Sequence, residues 1–138
     1  MKPIKLLFAT FFSLFSLSIH PNDKPNIVLI LIDDLGLTDI QAYGGEINTP
    51  NMDSLASEGM LFTNYHTTPE CAPSRAMLLT GMDNHNTGIP MIPEVLPWEY
   101  RNTPGYEGYL RDDALTIAEI LKPAGYRSYM TGKWHLAF

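Results

Sequence analysis

The sequence predicts an α/β protein with a mostly parallel sheet covered by helices, and three observations predict it. The run 27–32 (IVLILI) is apolar at every position, as in a strand buried on both faces. Short helix patterns with recognisable caps alternate with further strand candidates. The resulting order, strand, helix, strand, helix, loop, helix, strand, is that of parallel crossover units. Composition agrees: of 138 residues 45% are hydrophobic and 17% charged, with 15 acids against 9 bases and a formal charge of −6. That length allows one domain. The negative balance argues against a nucleic-acid partner, which needs surplus Lys and Arg. A single cysteine, Cys71, excludes a disulfide framework and a Cys-rich zinc site.

Taken in order, Lys2 and Lys5 precede an apolar stretch over 6–19, with Ser16 and Ser18 at its end. This is the pattern of a signal peptide, 1–18, with cleavage after Ser18, and it predicts an exported protein, periplasmic or secreted. The stretch is shorter than the ~20 residues that span a bilayer, so no stable membrane span is expected. The body of the domain is 24–138. After the strand at 27–32, Thr49 and Pro50 supply the N-cap and first position of a helix closed by Gly59. Residues 60–65 suit a second strand. Residues 73–80 suit a second helix, ended by Gly81. Residues 83–109, rich in Pro, Gly and Asn, read as a long irregular excursion, of the kind that carries function or is mobile. Within it, His85 reads as a solvated histidine or one that reaches a substrate. Thr116 and Glu119 form a capping box flanked by Leu115 and Ile120, and Pro123 and Gly125 keep that helix short. The last strand candidate is 126–131.

Three polar clusters fall at element ends, where open α/β sheets bind ligands. Asp33 and Asp34 follow the first strand; two adjacent carboxylates suit Ca²⁺ or Mg²⁺, or else a solvated turn. Cys71 and Arg75 bracket a helix start, where the dipole favours an anionic nucleophile; the alternative is a small buried side chain. Lys133 and His135 share one side of an extended segment and suit an anionic substrate and proton transfer, or ordinary solvation. Taken together, the clusters describe displacement at a phosphate or sulfate.

These residues resemble a known family. Cys71-Ala72-Pro73-Ser74-Arg75, continued by Leu79-Thr80-Gly81, is similar to the C-x-P-S-R signature of the type I sulfatases, in the alkaline-phosphatase-like superfamily. Lys24-Pro25-Asn26-Ile27 with Asp33-Asp34-Leu35-Gly36 looks like the family's opening strand and metal turn. Thr49-Pro50-Asn51-Met52-Asp53, Ala124-Gly125-Tyr126 and Gly132-Lys133-Trp134-His135-Leu136 match further stretches. Pro104-Gly105-Tyr106-Glu107-Gly108 resembles bacterial arylsulfatases in particular.

The resemblance implies an arylsulfatase-type sulfuric ester hydrolase acting on a sulfated small molecule or glycan. Cys71 would be converted to formylglycine by a formylglycine-generating enzyme, and the aldehyde hydrate would be the nucleophile. Asp33, Asp34 and the modified residue 71 would hold Ca²⁺, Mg²⁺ being the lesser candidate. Arg75 would steady the hydrate, Lys133 would bind sulfate, and His135 would assist deprotonation of the second hydroxyl. Two departures stand out: Ala137 follows Leu136 where the family has glycine, and the family's remaining metal ligands, a second His and a second Lys lie further downstream. The expectation is therefore an N-terminal part of the catalytic domain that is inactive alone. The alternatives are a catalytically dead fragment, or a phosphonate or phosphodiester hydrolase of the same superfamily.

Overall fold

The computed structural model describes residues 24–101 and 103–137, so the signal peptide expected at 1–18 lies outside the described residues. The chain divides into two compact units, one running to Leu31 and one from Ile32 onward. The described part of the first, 24–31, has no regular secondary structure and is exposed throughout.

In the second unit the regular elements are helical. Helix α1 is Pro50–Glu58, α2 is Cys71–Thr80 and α3 is Ile117–Leu121. Five single 3₁₀ turns join them: Leu37–Asp39, Gln41–Tyr43, Pro93–Val95, Trp98–Tyr100 and Lys122–Ala124. No β-strand forms among the described residues, so the sheet expected from 27–32, 60–65 and 126–131 is not seen there. The physical reason is visible in the exposure of those segments. Val28 is 81% exposed, Met60 77% and Tyr129 87%. An apolar strand needs neighbours along its edges and cover on its faces, and these residues have neither. Among the described residues no helix is long and apolar enough to cross a membrane.

The helix ends follow local chemistry, with two corrections. Helix α2 begins at Cys71, two residues before the expected Pro73, with Glu70 extended as its N-cap (φ −126°, ψ 147°). Pro73 is tolerated because first-turn N–H groups lack intrahelical acceptors anyway. Thr49 does occupy the N-cap of α1, but its hydroxyl serves other partners. It accepts the Gln41 N–H at 3.0 Å and donates to the Asp53 carboxylate at 3.1 Å. The capping box of α3 forms as expected: the Glu119 carboxylate accepts the Thr116 N–H at 2.8 Å, and the Thr116 hydroxyl accepts the Glu119 N–H at 3.4 Å. Leu115 and Ile120 stay exposed, so the flanking apolar pair buries little.

The packed centre lies where the sequence suggests an irregular excursion. Ala72 and Ala76 of α2, Ile89 of the excursion and Leu136 are buried together, with Leu79 and Leu110 against them. Thr87, Pro93 and Leu96 are buried as well. Main-chain bonds close the excursion on itself, tie it to the residues that follow it, and tie those in turn to Leu136. Gly108 N–H donates to Gly88 O at 2.8 Å, Arg111 N–H to Thr87 O at 3.0 Å and Leu110 N–H to Leu136 O at 2.9 Å. Lacking helix or strand period, 83–109 is nonetheless the scaffold behind α2.

Candidate functional site

The first helical position of α2 presents Cys71, and Arg75 lies one turn along the same helix. Arg75 is 7% exposed, and its guanidinium is held from two directions. One nitrogen donates to the Lys133 carbonyl at 2.8 Å and another to Asp33 Oδ1 at 3.3 Å. Its Nε is buried without a hydrogen-bond partner among the described residues. Lys133 Nζ donates to the other oxygen of Asp33 at 2.8 Å. One carboxylate thus gathers two cations from segments far apart in sequence.

A second chain of contacts starts at the sulfur. Cys71 Sγ lies 3.3 Å from His135 Nδ1, and His135 Nε2 lies 3.0 and 3.2 Å from the two carboxylate oxygens of Glu94. His135 has φ 60°, a left-handed backbone that side chains adopt at a cost of about 1–2 kcal/mol. It is kept because Leu136, the next residue, is buried and its carbonyl accepts the Leu110 N–H. This backbone breaks the extended alternation expected of Lys133 and His135, yet both side chains still reach the one cluster.

Charge follows geometry. The hydrogen bond from Lys133, aided by Arg75, holds the Asp33 carboxyl below its ordinary value, and the same contact raises Lys133 above its own. The His135 hydrogen bond lowers the Glu94 carboxyl.

Five of the six site residues expected from sequence come together: Asp33, Arg75 and Lys133 bond one another, Cys71 contacts His135, and a hydrogen bond between Lys133 and Cys71 joins the two groups. Asp34 is not in that network: it is exposed, has φ 55° and makes no hydrogen bond or ion pair among the described residues. His85 is exposed too, 3.5 Å from Asp83 and edge-on to Tyr106, neither of which belongs to the cluster. Glu94 is the residue that the sequence reading missed. Its one signal is a lone acid within the otherwise apolar, proline-rich run 90–97.

For a divalent cation the donors fit in kind but not in number. Adjacent carboxylates are the hard oxygen ligands that Ca²⁺ prefers, and that of Asp34 has no partner among the described residues. Asp33, however, is already shared between two cations, and Cys71 faces a histidine. No group of three or more His, Cys, Asp or Glu among the described residues could hold a metal ion. The residues described make at most part of a coordination shell.

Comparison with known proteins gives a consistent result. A family model described as "Sulfatase" matches residues 25–138. The chain is 47% identical over 116 residues to an uncharacterized sulfatase of Schizosaccharomyces pombe, covering 82% of this chain and 21% of that protein. It is 45% identical over 119 residues to an arylsulfatase of Klebsiella aerogenes, covering 84% of this chain and 25% of that protein. With human arylsulfatase A it shares 45% identity over 114 residues, 81% of this chain and 21% of that protein. The chain thus spans about a fifth to a quarter of the length of these curated relatives.

Proposed function

We propose, for a chain that belongs to the sulfatase family, that it carries the nucleophile end of a sulfuric ester hydrolase of the arylsulfatase type. The family has an alkaline-phosphatase-like α/β fold, of which the described residues contribute helices. The observation that carries the proposal is the convergence of Cys71, His135, Lys133, Arg75 and Asp33 through contacts of 2.8 to 3.3 Å.

In this reading Cys71 is converted to formylglycine by a formylglycine-generating enzyme, and the aldehyde hydrate supplies one hydroxyl to attack sulfur and a second to release sulfate. The chain's own residues prepare that chemistry. The N-terminus of α2 directs its dipole at position 71 and favours negative charge there. Lys133 Nζ, on the exposed side of the cluster, is the group that meets the sulfate oxygens of an incoming ester. Arg75 is buried and doubly held, so it fixes the field at position 71 instead of following the substrate. His135 Nδ1 is within reach of the side chain at 71 and takes the proton of a hydroxyl there. Asp33 and Asp34 would supply part of the oxygen shell of a Ca²⁺ ion, which would offset their charge and acidify a hydroxyl beside it. Export through the segment 1–18 and a sulfated small molecule or glycan as substrate complete the proposal.

The experiment is mass spectrometry of the peptide containing Cys71, from the complete gene product coexpressed with a formylglycine-generating enzyme. Replacing SH and one hydrogen by a carbonyl oxygen lowers the mass by about 18 Da, unlike the additions of the ordinary thiol oxidation ladder. An unmodified thiol under these conditions, or a protein that cleaves phosphodiesters faster than aryl sulfates, overturns the assignment.

A further inference from the structure

Glu94 lies outside the residues assigned above, yet it makes the closest polar contacts of the His135 ring. Both of its oxygens are within 3.2 Å of Nε2, and a carboxylate only accepts hydrogen bonds. The His135 hydrogen bond itself lowers the Glu94 carboxyl, so the acceptor form is the one present at neutral pH. A neutral imidazole carries a single N–H. Placed on Nε2, that proton lies between nitrogen and carboxylate. Placed on Nδ1, it would leave the Nε2 lone pair against two oxygens. Which ring nitrogen is bare is thus decided by what the other one bonds.

We infer that Glu94 is a positioning residue: its carboxylate keeps the proton of His135 on Nε2, leaving the Nδ1 lone pair directed at residue 71. As a statement about turnover, this rests on the sulfatase reading; as a statement about the ring, it does not.

Both ends of the relay are tethered to the same helix start. Glu94 sits in the 3₁₀ turn Pro93–Val95, whose Pro93 is buried and which is followed by buried Leu96. Just before it, the Ile92 N–H donates to the Glu70 carboxylate at 2.7 Å, and Glu70 is the N-cap residue adjoining Cys71. On the other side the left-handed backbone of His135 is fixed by buried Leu136. The Glu94 side chain is 59% exposed, so its task is not core packing. Its turn is clamped to the helix that carries Cys71, and its carboxylate orients the histidine that faces Cys71.

The test is ring-nitrogen NMR of the complete gene product labelled with ¹⁵N-histidine, at a pH above the imidazole range, with His135→Gln assigning the signals. The expected parent spectrum has Nε2 protonated and Nδ1 unprotonated. Glu94→Ala should mix the two tautomers, whereas Glu94→Gln, whose side-chain oxygen still accepts, should restore the parent pattern. With an aryl sulfate, Glu94→Ala should lower kcat about tenfold with KM changed less than about twofold, in the range found for groups that orient a catalytic or ligating histidine. A proton on Nδ1 in the parent overturns the inference without need of any variant. So does an unchanged Nε2–H tautomer in a folded Glu94→Ala protein. If the parent shows the Nε2–H form but hydrolyses no aryl sulfate, the sulfatase reading fails while the tautomer assignment stands.

Discussion

Ile89→Ala is the substitution that most directly tests whether the irregular excursion is the scaffold of the site. Ile89 is fully buried and belongs to a cluster with Ala72, Ala76 and Leu136. Removing three carbon groups forfeits about 2.4 kcal/mol of transfer free energy at ~0.8 kcal/mol each. A cavity term adds to this, and here it should be large. Two of the three buried partners are alanines on α2, with no side chain able to swing into the space. The expected loss is about 3–4 kcal/mol, which at roughly 4 °C per kcal/mol lowers the thermal midpoint by about 12–16 °C. Ile89→Val should cost only about 1 kcal/mol. Thermal unfolding of the 138-residue chain, followed by far-ultraviolet circular dichroism, reads both. Exposed Ile120→Ala is the control, expected within about 0.5 kcal/mol of the parent. If Ile89→Ala melts within about 3 °C of that control, the excursion is not packed against α2 and the reasoning fails.

Three further outcomes are expected. Gly88→Ala should destabilise by more than about 2 kcal/mol in chemical unfolding, since φ is 86° and the added Cβ would lie 2.7 Å from the Tyr109 carbonyl oxygen; Gly81→Ala, at φ 69° with open space around it, should cost only the backbone strain of about 1–2 kcal/mol. Glu119 has its carboxyl lowered, first by the Thr116 N–H and then by the Thr116 hydroxyl, so it contributes stability that is present above its ordinary value of 4.5 and is lost as pH falls through the lower folded value. Glu119→Gln should therefore flatten the acid side of the midpoint–pH curve, and an unchanged slope below pH 4.5 would remove the capping box from the account. Finally, the 138-residue chain alone should turn over no chromogenic aryl sulfate and should melt below about 50 °C, with millimolar Ca²⁺ moving the midpoint by less than about 2 °C. Among the described residues too few oxygen donors stand together to hold the ion, and exposed apolar side chains such as Met60 and Tyr129 favour association. A cooperative transition well above that temperature, accompanied by turnover, would refute the expectation.

What could be read from the sequence was what short-range chemistry decides. The Thr116–Glu119 box and the Gly81 C-cap are written within a few residues, and both form. Cys71 and Arg75 fall one turn apart because α2 is continuous across them. Contacts over long separations were less legible. Nothing local tells that Lys133 will pair with Asp33, nor that a glutamate in an aperiodic loop will meet His135. The expected strands are not seen among the described residues for a related reason: an apolar run states that a segment wants partners without supplying them, and 27–32 is exposed. The excursion 83–109 is irregular as expected apart from two 3₁₀ turns, but its packing was not legible, because periodicity detects repeating elements and this segment is held by isolated buried residues and single main-chain bonds.

Charge gives a physical reason for the proposed cation that does not depend on family. The cluster sets the carboxylates of Asp33 and Glu94, with Asp34 adjoining in sequence, against two fixed cations, Arg75 and Lys133. Lys133 is engaged with Asp33, so in the proposed reaction a sulfate ester would have to compete with that carboxylate for it. With His135 neutral, the site as a whole is acidic and repels the anion it is proposed to bind. A divalent cation held in part by Asp33 and Asp34 would offset that negative balance. What Asp33 does in the structure is gather Lys133 and Arg75 around the start of α2, and its charge is the one that the proposed cation would have to offset for an anion to approach Lys133.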